Sequence, residues 1–134
     1  MGTVVTIPFD ITGWEPEPLD LGADTPAEFG RATVRKSFGG SLTGTSVASL
    51  TTVTVEGAPA GYVAVELVTG SLDGRSGSFV LQHTGTVDGD GARSAGEVLG
   101  ATASGGLAGL RGTATFAHDE SGATVTLDYE LPGE

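Results

Sequence analysis

Cysteine is absent from the 134 residues, which removes disulfides, thiolate nucleophiles and Cys-ligated zinc or iron–sulfur clusters from consideration. Cations are scarce: six Lys and Arg stand against 17 Asp and Glu, for a formal net charge of −11. Such an acidic surface repels phosphate backbones and anionic headgroups, so neither nucleic acid nor a membrane is an expected partner. Aromatics are few, with one Trp, two Tyr and five Phe. Long hydrophobic runs are missing as well. The longest, Tyr62 to Val68, is broken by Glu66 and falls well short of the roughly 20 residues that a membrane-spanning helix needs. No basic stretch precedes the first cation, Arg31, so a secretory leader is not expected. With cysteine lacking too, a cytoplasmic location is the expectation.

What is present favours strands. Val, Leu, Ile and Phe supply 32 residues, enough for a packed core, beside 18 Thr and 23 Gly. The β-branched residues suit pleated strands, and glycines at regular intervals mark turns. No segment sustains a 3.6-residue period. The pattern predicts eight strands, at 3–12, 30–38, 41–55, 61–71, 75–87, 92–103, 110–118 and 123–131, in a single domain covering 1–134. Turn chemistry separates them at Phe38-Gly39-Gly40, Glu56-Gly57-Ala58-Pro59, Asp73-Gly74, Asp88-Gly89-Asp90-Gly91, Gly105-Gly106 and Asp119-Glu120-Ser121-Gly122. Short connections imply an antiparallel meander, and eight strands without protected edges imply closure into a β-barrel. Small residues at expected inner positions (Gly44, Ala64, Gly96, Gly100, Ala114) leave room for a cavity. Residues 13–29, with Pro16, Pro18, Pro26 and five carboxylates, read as a Pro-rich loop capping one end. Trp14 opens that loop, as a plug or as a lid that stacks on a ligand.

Glu66 and His83 are the candidate catalytic pair. In a hairpin the numbers of directly paired residues sum to a constant. A turn at Asp73-Gly74 gives 147 and pairs Glu66 with Leu81; a turn at Gly74-Arg75 gives 149 and pairs Glu66 with His83. Either odd sum puts Glu66 and His83 on one face, within about 4.5–8 Å at Cβ. Alternation with Phe79 and Leu81 turns that face inward. A carboxylate orienting an imidazole among apolar side chains suits general acid–base work near neutral pH. The plain alternative is a mutually satisfied structural pair. Tyr129 alternates with Val125, Leu127 and Leu131 and faces inward, and Tyr62 shares the face of Glu66. Candidate ligand contacts are therefore Trp14, Tyr62, Phe79, Leu81 and Tyr129. Arg111, like Arg75, follows a Gly-rich turn as an anion contact or a rim ion-pair partner. No metal is expected: His83 and His118 lack further ligands at useful spacing, and Asp88-Gly89-Asp90-Gly91 lacks the rest of a calcium loop. No Gly-rich segment leads into a helix, so a phosphate-cradling loop is excluded, and no Ser sits on a nucleophile elbow.

Four stretches carry a family resemblance: Gly74-Arg75-Ser76-Gly77-Ser78-Phe79-Val80-Leu81-Gln82-His83-Thr84-Gly85, Gly106-Leu107-Ala108-Gly109-Leu110-Arg111-Gly112, Thr126-Leu127-Asp128-Tyr129, and Trp14-Glu15-Pro16-Glu17-Pro18. Together they resemble the bacterial domain-of-unknown-function family 3224, which implies an allene oxide cyclase-like β-barrel. The wider group includes allene oxide cyclases, dirigent proteins and similar bacterial cyclases, which steer ring closure of apolar intermediates without a cofactor. Two stretches depart from the family pattern: Leu67-Val68 replaces aromatics, and Gly96-Glu97-Val98-Leu99 lacks a Trp. The resemblance implies a barrel that binds a small hydrophobic molecule, as a cofactor-independent isomerase or cyclase of secondary metabolism. Its rivals are a non-catalytic storage or sensing barrel and a filled structural barrel. Either form is compatible with a homo-oligomer.

Overall fold

The structure, a computed structural model, describes residues 2–22, 24–88, 91–119 and 122–132. Its strands are β1 (Thr3–Pro18), β2 (Glu28–Phe38), β3 (Leu42–Thr54), β4 (Ala60–Leu72), β5 (Arg75–Asp88), β6 (Gly91–Gly105), β7 (Arg111–Asp119) and β8 (Gly122–Glu130). Each pairs antiparallel with the next, and β8 pairs with β1 to close the barrel. The expected turns at 88–91 and 119–122 include residues outside the described ones. Among the described residues, no helix is long and apolar enough to cross a membrane.

The expected loop at 13–29 is strand at both of its ends. β1 continues through Pro18 and β2 begins at Glu28, so only residues 19–27 connect them. Pairing explains why the prolines are tolerated there. β1 is bonded to β8 only over Thr3–Phe9, whereas Pro16 and Pro18 lie where β2 alone is its partner. On such an edge a proline removes a donor that no neighbouring strand requires. Trp14 therefore stands on a strand, opposite Val34 and just past a register shift between Ile11 and Gly13.

The β4–β5 hairpin resolves the two registers left open by the sequence. Leu72 pairs with Arg75 and Glu66 with Leu81, so Asp73-Gly74 is the two-residue turn. Both turn residues have positive φ, 52° at Asp73 and 77° at Gly74, the geometry whose twist matches the flanking strands.

The barrel has a filled end and an open end. At the filled end Phe38, Leu42, Leu72, Phe79 and Tyr129 pack together. The β6–β7 connection seals it: Leu107 donates its N–H to Ser104 O (3.2 Å) and Leu110 to Leu107 O (3.0 Å), and both leucine side chains are fully buried. Small inner residues do not make space here. A Cβ on Gly44 would lie 2.2 Å from Thr69 O, and one on Gly70 would lie 2.3 Å from Thr43 O. Opposing backbone already occupies that room, and Gly100 is exposed. The space lies at the other end, where β1–β2 and β3–β4 connect.

Candidate functional site

Four strands each send one polar side chain into the middle of the barrel: Lys36 from β2, Ser46 from β3, Glu66 from β4 and His83 from β5. All four are buried. Register brings them together. Lys36 pairs directly with Ser46, while Glu66 pairs with Ala48 and His83 with Ala64, so Glu66 sits diagonal to both Ser46 and His83. Its carboxylate takes three donors: Lys36 Nζ at 3.1 Å and His83 Nε2 at 2.9 Å on Oε1, and Ser46 Oγ at 2.6 Å on Oε2.

Burial opposes the charge on Glu66. The His83 hydrogen bond, the Lys36 ammonium and the Ser46 hydroxyl outweigh that penalty and hold its pKa at about 2. An ionised carboxylate only accepts, so Nε2 of His83 carries a hydrogen. The Tyr62 hydroxyl lies 2.9 Å from Nδ1, and Ser94 hydrogen-bonds the Tyr62 side chain. In the imidazole form that carries its hydrogen on Nε2 alone, Nδ1 is an acceptor for the Tyr62 O–H. In that form hydrogens run from Tyr62 to His83 and from His83 to Glu66. Burial also raises the Tyr62 pKa, against the Ser94 bond and with the help of the Glu66 charge, so Tyr62 stays a phenol. Aromatic rings enclose the cluster. Phe116 lies 4.5 Å from His83 between centroids, and Lys36 Nζ stands 4.6 Å from the Phe9 ring centre and 4.7 Å from that of Phe116.

Above this layer opens a cavity of about 270 Å³, lined mainly by apolar residues including Phe9, Trp14, Leu50 and Phe116, with Lys36, Tyr62, His83, Ser94 and the exposed His118 as polar exceptions. Trp14 is 54% exposed at its mouth. A broader, shallower groove of about 700 Å³ crosses the rim past Leu21 and Phe29 and shares Tyr62 and Ser94 with the cavity.

The expected residues divide between these regions. Glu66, His83 and Tyr62 come together, and Trp14 joins them at the mouth rather than as part of a capping loop. Phe79, Leu81 and Tyr129 belong to the packed core and do not line the cavity, so the ligand contacts expected of them are replaced by core packing. Arg111 is exposed on an outer groove beside Glu97, Asp128 and Glu130, away from the interior. Arg75 donates to Pro132 O at 2.8 Å, holding the C-terminal segment at the filled end. Sequence reading missed Lys36, Ser46, Ser94, Phe9 and Phe116. A signal existed for Lys36: Ala32, Val34, Lys36 and Phe38 alternate as one buried face. Among the described residues, no three His, Asp, Glu or Cys side chains gather to hold a metal.

The sequence profile of the family described as "Protein of unknown function (DUF3224)" matches residues 5–131. A crystal structure of a protein of unknown function from that family, from Shewanella oneidensis MR-1, is 32% identical, covers 98% of each chain and superposes with a TM-score of 0.86. No curated protein sequence matches the chain.

Proposed function

This chain belongs to the DUF3224 family, and from the geometry of its interior we propose a barrel that binds a small, largely apolar molecule and moves a proton on it without a cofactor. One observation carries this reading. A cavity-lining hydroxyl, Tyr62, is bonded to a histidine whose other nitrogen is held by a buried carboxylate. In an isomerase or cyclase of this design, a ligand C–H proton passes to the Tyr62 oxygen as the Tyr62 proton passes to His83 Nδ1. Glu66 stabilises the imidazolium without itself taking the proton. Reversal of the relay returns the proton at another carbon, so nothing is oxidised or reduced. Glu66 is a positioning residue, because its low pKa and three donors leave it unfit to be the base.

The rival reading, a non-catalytic carrier, is favoured by the same saturation: both Glu66 oxygens are satisfied without a ligand. Deuterium exchange separates the two. The probe is 2-tetralone, a small ketone with acidic α-hydrogens, followed by NMR in D2O. Binding is read separately from the fluorescence of Trp14, the sole tryptophan. Saturable acceleration of exchange is expected, reduced about a hundredfold in Tyr62→Phe and His83→Gln, the usual scale for removing a general acid–base group. Binding without acceleration would leave the carrier reading, and no fluorescence response to the ketone or its hydrocarbon tetralin would remove both.

A further inference from the structure

We propose that Lys36 is the docking point for the ligand's polar end, and that this end is a neutral carbonyl oxygen. The inference rests on the reading that the cavity binds a small apolar molecule, and it assigns the chemical class of that molecule.

The argument is an accounting of donors and acceptors. Tyr62 is hydrogen-bonded to His83, and His83 donates to Glu66. Both Glu66 oxygens already accept, from Lys36 and His83 on one and Ser46 on the other. The Lys36 ammonium differs. Of its three hydrogens one meets Glu66, and its other neighbours are the faces of Phe9 and Phe116. Ring faces attract a cation but do not satisfy an N–H as an oxygen does. Lys36 is 7% exposed and lies on the cavity wall. The Lys36 ammonium thus has donor capacity facing the cavity, and a ligand acceptor would meet it there.

Charge then selects among acceptors. Lys36 is already balanced by the buried Glu66 carboxylate 3.1 Å away. A carboxylate would add an uncompensated negative charge in a desolvated site, and an ammonium would meet Lys36 as a like charge. A neutral carbonyl oxygen satisfies the donor and leaves the Lys36–Glu66 pair balanced. It also places its α-carbon beside a site where Lys36 can stabilise the enolate formed when the Tyr62–His83 relay takes a proton.

A matched set on one carbon frame tests this: tetralin, 2-tetralone, tetralin-2-carboxylate and 2-aminotetralin, each titrated against Trp14 fluorescence. We expect 2-tetralone to bind about tenfold or more tighter than tetralin, the scale of a hydrogen bond from a charged donor. The carboxylate and the amine should bind more weakly than the ketone. In Lys36→Met the ketone's advantage over tetralin should disappear while tetralin still binds. Should that variant fail to fold, the carbonyl stretch of 2-tetralone on the wild-type protein decides: a Lys36 hydrogen bond moves it to lower wavenumber than in water-free apolar solvent. Equal affinity for tetralin and 2-tetralone, tighter binding of the carboxylate or amine, or an unshifted carbonyl band would each overturn the assignment while leaving the binding site itself standing. Failure of tetralin and the ketone alike to perturb Trp14 would instead remove the binding reading on which it rests.

Discussion

Glu66 shows how one residue links stability to the site. Its folded pKa of about 2 lies below the ordinary value of 4.5. A carboxyl shifted downward adds stability that is complete above the unfolded pKa and lost as pH falls through the folded one. Its contribution should therefore fade between about pH 4.5 and about pH 2, by roughly 3 kcal/mol in all. Acid titration of thermal stability should show this as a steep fall in the wild type and a shallower one in Glu66→Gln. At neutral pH the same variant strands Lys36 beside a neutral amide. It should lose about 3 kcal/mol, or roughly 10 °C in Tm. Equal slopes in the two proteins would mean that Glu66 is not charged in the folded state. Sequence parity was enough to bring Glu66 and His83 to one face. It could not show that the Glu66 carboxylate is saturated, because that depends on three donors from three different strands.

At the scale of elements, the β4–β5 hairpin and the β5–β6 pair together set where His83 points. Positive φ at Asp73 and Gly74 sets the register that places His83 opposite Ala64. On its other side His83 faces Gly96 of β6, and a Cβ there would lie 2.5 Å from His83 Cβ and 2.1 Å from Gln82 O. Gly96→Ala should therefore destabilise the barrel by about 1–3 kcal/mol, the scale of overpacking, and tilt the imidazole away from Glu66. Thermal melting and the 15N shifts of the His83 ring would report the two effects, and an unchanged ring signal would show that β6 moves instead. Strand positions were largely legible because period-2 alternation and Gly-rich turns are local features. The extension of β1 through Pro16 and Pro18 was not. Whether a proline's missing N–H matters depends on the neighbouring strand, and here β8 has already ended.

For the whole molecule, charge and closure matter most. The net charge of −11 is borne partly by Glu15, Glu17, Asp20, Asp24 and Glu28, in and around the connection at the open end. Their field opposes an incoming anion before it meets Lys36. Raising salt from about 50 to about 300 mM should accelerate association of tetralin-2-carboxylate and leave that of 2-tetralone unchanged. Stopped-flow Trp14 fluorescence measures both, and slower anion association in high salt would point to a net positive mouth. The meander itself, the inward faces and the acidic exterior follow from sequence alone, since each is written in neighbouring residues or in bulk composition. Which end is hollow required the closed barrel. Leu107 and Leu110 can seal one end only once β6 and β7 have been brought round. The interior glycines make room only where no opposing backbone fills it, as at Gly44 and Gly70 it does. The polar cluster is likewise tertiary: Lys36, Ser46, Glu66 and His83 come from separate strands, and only the registers of three hairpins at once place four side chains around one carboxylate.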